Sequence, residues 1–155
     1  MTDHVLPTSP LVPHVAPSSP YARLLLFGIR RMAAGRIGDA HAAHAFFTGF
    51  GLGYRRPLVL LRAFMSEVAR LATVKLVVAP CCCPRMSEAE ATLLSAVAGA
   101  CASPRATHEA LTALLHVRDC LGLVTSAQAV AQSFADLRMP LSCDDYADCN
   151  RGDVN

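Results

Sequence analysis

Three consecutive cysteines lie between two prolines in the stretch Ala79-Pro80-Cys81-Cys82-Cys83-Pro84-Arg85-Met86-Ser87. Thiolates bind soft metals and attack electrophiles, so these are the residues of the chain best suited to chemistry. Neighbours in an extended chain alternate sides, which puts Cys81 and Cys83 on one face and Cys82 on the other. Those two can offer thiolates to one zinc or iron ion, with Cys101, His41 or His44 completing a tetrahedron. The spacing departs from the usual C-x2–4-C ligand pair of zinc sites. A thiolate ahead of Pro84 can also ligate haem iron. The third chemistry is redox: Cys83 lies just before a helix start and two residues from Arg85, and both features stabilise negative sulfur. The structural alternative is a tight turn whose small thiols pack beneath a helix junction, with Cys82 the packed one.

Three other stretches carry reactive or binding groups. His41 and His44, at i and i+3, meet on one helix face and form a zinc or iron ligand pair if a carboxylate or thiolate arrives from another helix. No H-E-x-x-H pattern accompanies them, and the same positions suit two solvent-exposed side chains. Gly49-Phe50-Gly51-Leu52-Gly53-Tyr54-Arg55-Arg56-Pro57 sets glycine backbone and two arginines, Arg55 and Arg56, at a helix N-terminus, an arrangement that seats anions. It lacks the lysine-serine pair and the βαβ setting of phosphate loops, so a tight inter-helix turn competes. The acidic run Cys143-Asp144-Asp145-Tyr146-Ala147-Asp148-Cys149 lacks the ligand spacing of a calcium loop and reads as a tail that folds over a basic surface. No nucleophile–base–acid triad is recognisable.

Those residues need elements to hold them. Ser19-Pro20 is a cap followed by proline at the first helical position, which predicts helix 1 from about residue 20 to 34 with Gly35 as its stop. Helix 2 starts near Asp39, with Phe46, Phe47 and Phe50 on one side and the histidines on the other. Helix 3, from about Arg56 to Val78, is the most apolar and is expected at the centre of the bundle; its β-branched end also suits extended chain. Ser87-Glu88-Ala89-Glu90 matches a capping box for helix 4. Ser103-Pro104 opens helix 5, expected to reach about Gly122. Thr125-Ser126-Ala127-Gln128 is a capping-box candidate for helix 6, and Pro140 ends the helical part. Arg118 falls on the apolar side of the expected helix 5, so it needs a partner such as Glu67 or Asp136, or must reach past the apolar surface to solvent.

Composition bounds the rest. The chain has 155 residues, enough for one domain with a real core, and 53% of them are hydrophobic, many of them alanine. Alanine-rich, aromatic-poor sequence without tryptophan favours helices. The expected organisation is a disordered Pro-rich tail over residues 1–19, one helical domain over 20–140 and an acidic mobile tail over 141–155. The net charge of +2 hides a division: residues 21–80 balance at +7 and residues 81–155 at −4. Opposite halves attract each other within a fold; the alternative is an anionic protein or nucleic-acid partner for the first half. No basic n-region with an apolar h-region is present, and no uncharged apolar run reaches the ~18 residues of a membrane span. Reduced thiols in a cytoplasmic protein are the expectation.

Three blocks carry a resemblance: Leu24-Leu25-Leu26-Phe27-Gly28-Ile29-Arg30-Arg31-Met32, Gly53-Tyr54-Arg55-Arg56-Pro57-Leu58-Val59-Leu60-Leu61-Arg62-Ala63 and the cysteine stretch itself. Over residues 20–100 the chain resembles a small uncharacterised family of sphingomonad-type alphaproteobacterial proteins, a domain of unknown function. The resemblance implies a bacterial cytosolic protein and assigns no activity and no site residue. The expected fold is all-α, a five- or six-helix bundle. Three functions are compatible with it: a helical regulatory or interaction module, a metal or haem sensor, and a thiol redox protein.

Overall fold

The computed structural model describes residues 11–142. Six α-helices follow one another: α1 (Pro20–Gly35), α2 (Ala40–Phe50), α3 (Arg55–Leu71), α4 (Glu88–Gly99), α5 (Pro104–Leu115) and α6 (Leu121–Asp136). A 3-10 turn, Gly51–Tyr54, links α2 to α3. A two-residue strand β1 (His14–Val15) pairs antiparallel with β2 (Arg85–Met86), His14 opposite Met86. The helices form two groups of three. Within the first, α2 packs on α1 and α3; within the second, α4 and α6 pack on α5. The groups join where α3 lies along α6 and α1 lies against α4. The all-α expectation therefore holds, but α3 shares the centre with α6. Phe64 and Leu61 from α3 meet a core completed by Leu123, Val130 and Phe134 from α6 and Leu93, Leu94 and Val97 from α4. Close approach at the α1 contact requires glycine: a Cβ on Gly28 would fall 2.8 Å from Leu61 and 2.9 Å from the Phe46 ring.

The caps act as their residue types dictate. The Ser19 hydroxyl accepts from the Ala22 amide, and the Asp39 carboxylate accepts from the Ala42 amide at 3.0 Å. Ser87 and Glu90 make the full reciprocal capping box. Three helix boundaries differ from expectation. First, α3 ends at Leu71, not Val78. Thr73 leaves the helix to donate from its hydroxyl (2.8 Å) and its amide (3.3 Å) to the Leu115 carbonyl, which gives the end of α5 a partner. Second, α5 ends at Leu115 with His116 in the left-handed region (φ 55°), and α6 starts at Leu121 rather than Thr125. Arg118 thus lies exposed in a turn and needs no buried partner; Glu67 instead pairs with Arg70 and Asp136 with Arg56. Third, the left-handed residue after α1 is Arg36 (φ 94°), not Gly35. Gly35 is required for a different reason: a Cβ there would sit 2.6 Å from the Asp39 carboxylate.

Part of the charge division of the sequence is consumed inside the fold. Arg30 and Arg56 of the basic half pair with Glu90 and Asp136 of the acidic half, and His14 pairs with Glu88. Residues 11–19, expected as part of a loose tail, lie along the cysteine stretch: Ala16 donates to the Pro84 carbonyl, and Arg85 donates to the carbonyls of Val12 and Pro13. The N-terminal ten residues and the acidic run from Cys143 lie outside the described residues.

Asp39 supplies a pH prediction. Arg31 donates two hydrogen bonds to its carboxylate, at 3.1 and 2.7 Å. That pairing, helped by the Ala42 amide, holds the Asp39 carboxyl well below the usual carboxylate range. A depressed folded-state pKa contributes stability that is fully present above the unfolded value near ~4 and is lost as pH falls toward the folded one. Asp39→Asn keeps a capping oxygen and removes the charge. Its urea midpoint is expected to fall less steeply than that of the wild type between about pH 4 and pH 2. Parallel acid limbs for the two proteins would show that the pair contributes nothing.

Candidate functional site: the cysteine turn and its cleft

The site begins with a buried arginine. Arg30 projects from α1 and is 3% exposed; Glu90, in the first turn of α4, is fully buried. Arg30 Nε donates to Glu90 Oε1 at 2.7 Å and Nη2 to Oε2 at 3.2 Å. The same guanidinium donates from Nη1 to the Cys83 carbonyl (2.8 Å) and from Nη2 to the Arg85 carbonyl (2.7 Å). Glu90 in turn accepts from the amides of Ala79 (3.0 Å) and Ser87 (2.8 Å). The Ser87 hydroxyl donates to the Val77 carbonyl at 2.6 Å. One ion pair thus fixes the backbone on both sides of the three cysteines. Burying two charges is costly and is tolerated where hydrogen bonds compensate: here all three guanidinium nitrogens donate and each Glu90 oxygen accepts twice.

Between those anchors the chain makes a turn, not an extended strand. The Cys83 amide donates to the Pro80 carbonyl at 3.0 Å, which puts Cys81 and Cys82 at the corners of a four-residue turn. Cys81 and Cys83 nevertheless share a side, as expected for a different reason: both line one cleft of about 460 Å3 between the turn, α1 and the β1 strap. Cys82, expected to be packed, is exposed. Leu26 and Phe27 line the cleft, and Arg23 and Arg30 bring charge to it. Arg23 anchors through Nε to the Pro17 carbonyl at 2.8 Å; its Nη groups make no hydrogen bond to another described residue. Beside the turn, the Asp39 carboxylate that Arg31 binds raises the guanidinium's pKa, and Cys81 adds to the same direction.

The other residues singled out in the sequence do not converge on this turn as a ligand set. His41 is exposed and its Nδ1 lies 3.1 Å from Arg31 Nη2. That guanidinium stands where a bridging cation would be repelled. His44 lines a separate cleft with Tyr21, Leu24 and Met139. Cys101 follows α4 whereas the cysteine turn precedes it, and a 12-residue helix spans about 18 Å. Among the described residues, no three His, Cys, Asp or Glu side chains are grouped so as to hold a metal ion. Of the two arginines proposed as an anion seat, Arg56 pairs with Asp136 at 2.7 Å, while Arg55 is exposed and makes no contact of this kind among the described residues.

A cluster not anticipated from sequence sits at the α5–α6 turn. His108 Nε2 lies 2.9 Å from Asp119 and 3.4 Å from the Cys120 amide. The hydrogen bond from His108 draws the Asp119 carboxyl below its ordinary value. Burial, reinforced by Asp119, pushes the Cys120 thiol up, and its Sγ donates to the His108 carbonyl. A buried thiol held in its protonated form is a packing group rather than a nucleophile. The cluster closes the turn that the sequence had read as continuing helix.

These features define a mostly helical bundle with an arginine-lined thiol cleft. The chain belongs to the Family of unknown function (DUF6628), whose model matches residues 12–139. The match extends past both ends of the resemblance noted over residues 20–100 and takes in the β1 strap. No curated protein and no solved structure matches the chain. No helix among the described residues is long and apolar enough to cross a membrane.

Proposed function

We propose that the protein is a small helical binding module with a regulatory or interaction role, and that the cleft beside the cysteine turn is its ligand-facing surface. One observation carries this reading: Arg23, exposed and with no hydrogen bond from its Nη groups to another described residue, lines a cleft with Leu26 and Phe27 whose volume falls within the ~300–1,000 Å3 of small-molecule sites. The matching ligand carries a carboxylate or similar anion on a small apolar body. The arginines around the cysteines favour an anion over a metal cation. A nucleic-acid partner has less support, because most arginines of the basic half are engaged within the fold and no aromatic residues are interleaved with the rest. A reducing bacterial cytosol, the setting suggested by the sequence, keeps the thiols available.

The test is a titration of isotope-labelled protein with a panel of small carboxylates, read by amide chemical shifts. Binding is expected to shift Arg23, Phe27 and Cys81 together. Arg23→Ala is expected to weaken it by about tenfold or more, the scale of a charged hydrogen bond. Shifts scattered over the surface, or equal affinity in Arg23→Ala, would remove the support for this reading.

A further inference from the structure

Cys81 and Cys83 add a chemistry that binding alone does not use. Both residues line the cleft, and Cys82 between them is exposed. Two residues apart span at most about 7 Å in an extended chain, and a turn shortens that into the ~4.4–6.8 Å Cα separation that a disulfide requires. The anchors hold Ala79, Cys83 and Arg85 through their backbones and leave the Cys81 side chain unpacked. Cys81 is exposed whereas Cys83 is half-buried, so the first is the attacking thiol and the second the resolving one.

We infer that Cys81 and Cys83 form a dithiol that exchanges with a low-molecular-weight disulfide bearing carboxylates, docked in the cleft at Arg23. The Cys81 thiolate attacks one sulfur of the reagent, whose S–S bond breaks. The first thiolate leaves and takes up the proton that Cys81 gave up. Cys83 then attacks the Cys81 sulfur of the mixed disulfide, expels the second thiolate and surrenders its proton to it. The protein is oxidised by two electrons to the Cys81–Cys83 disulfide, and the reagent is reduced to two thiols. The docking step rests on the cleft being the ligand-facing surface; the exchange between the two thiols does not.

The experiment uses the full chain, reduced, with Cys82→Ala as background so that only one link is available within the turn. Oxidised glutathione is the anionic probe and cystamine the cationic one. Mass spectrometry is expected to show the loss of two hydrogens and peptide mapping a Cys81–Cys83 link. Cys83→Ser is expected to stall with glutathione on Cys81. Cys81 is expected to react about tenfold or more faster than the exposed Cys101 of the same molecule. Arg23→Ala is expected to slow glutathione by about tenfold and to leave cystamine unchanged. A stable glutathione adduct on Cys81 in the protein that retains Cys83, or a Cys81 no faster than Cys101, overturns the dithiol. A link that forms equally fast with both reagents and ignores Arg23 keeps the dithiol and overturns docking in the cleft. Carboxylates that bind at Arg23 while the thiols stay reduced do the reverse.

Discussion

Glu90→Gln is expected to lower the unfolding free energy by about 3–5 kcal/mol, because it leaves Arg30 buried without a counter-charge. The substitution preserves shape, so the loss is electrostatic and hydrogen-bonded. Both carboxylate oxygens of Glu90 accept from donors on every side: Arg30 and the Ala79 amide at one, Arg30 and the Ser87 amide at the other. An amide nitrogen in place of either oxygen would point its hydrogens at donors. For a chain of this length the melting temperature should fall by about 6–20 °C. The turn should loosen as well, so alkylation in native buffer would discriminate less among Cys81, Cys82 and Cys83. A double change, Arg30→Met with Glu90→Leu, removes both charges and should recover part of the loss. It should not recover all of it, since the carbonyls of Cys83 and Arg85 would lose their donor. Urea denaturation decides the matter: a Glu90→Gln protein within about 1 kcal/mol of wild type would mean that the pair does not anchor the turn.

This pair also marks the boundary of what the sequence made legible. Ser87 and Glu90 match a capping box, and the local pattern accounts for Glu90 so completely that nothing points to a second role. That role depends on Arg30, sixty residues away in the chain. Arg23 and Arg30, seven residues apart, fall on one helix face and read together as a polar stripe. A signal was nevertheless present: its helical neighbours at i−4, i−3, i+3 and i+4 are Leu26, Phe27, Ala33 and Ala34, an apolar setting in which arginine needs a partner. The all-α class was readable from alanine content and caps, which are local properties. The early end of α3 was half-readable from its β-branched residues; what decided it was Thr73 reaching the Leu115 carbonyl, a tertiary contact. For the cysteines, alternation in an extended chain grouped Cys81 with Cys83. The observed turn groups them too, but it turns Cys82 outward rather than into the core.

The charge division is instructive in the same way. Two halves of opposite sign admit two readings, attraction within the fold or attraction to a partner, and composition cannot choose between them. The ion pairs Arg30–Glu90 and Arg56–Asp136 answer in favour of the fold for those residues. Among the described residues Arg36, Arg55 and Lys75 stay exposed without an ion pair, and Arg23 alone of the exposed basic residues lines the thiol cleft.

Phe134→Ala is expected to cost about 3–5 kcal/mol and to leave the cysteine turn as it is in the native protein. Phe134 is fully buried on α6, where it meets Phe50 edge-on at 4.8 Å and Phe46 at 6.1 Å. Each such pair adds roughly 0.5–1.5 kcal/mol to the area lost, so the upper part of the range is expected. Phe46 in turn packs against Gly28 on α1. Gly28 and Arg30 lie about 200° apart around that helix, so the aromatic cluster and the buried ion pair occupy opposite sides of it. A cavity at Phe134 should therefore lower global stability by speeding unfolding, without releasing the anchors of Cys83 and Ala79. The measurement pairs urea denaturation with thiol alkylation in native buffer: a large drop in midpoint should accompany an unchanged order of reactivity among Cys81, Cys82 and Cys83. If that order changes as it does in Glu90→Gln, the turn is held by the bundle as a whole and not by the Arg30–Glu90 pair.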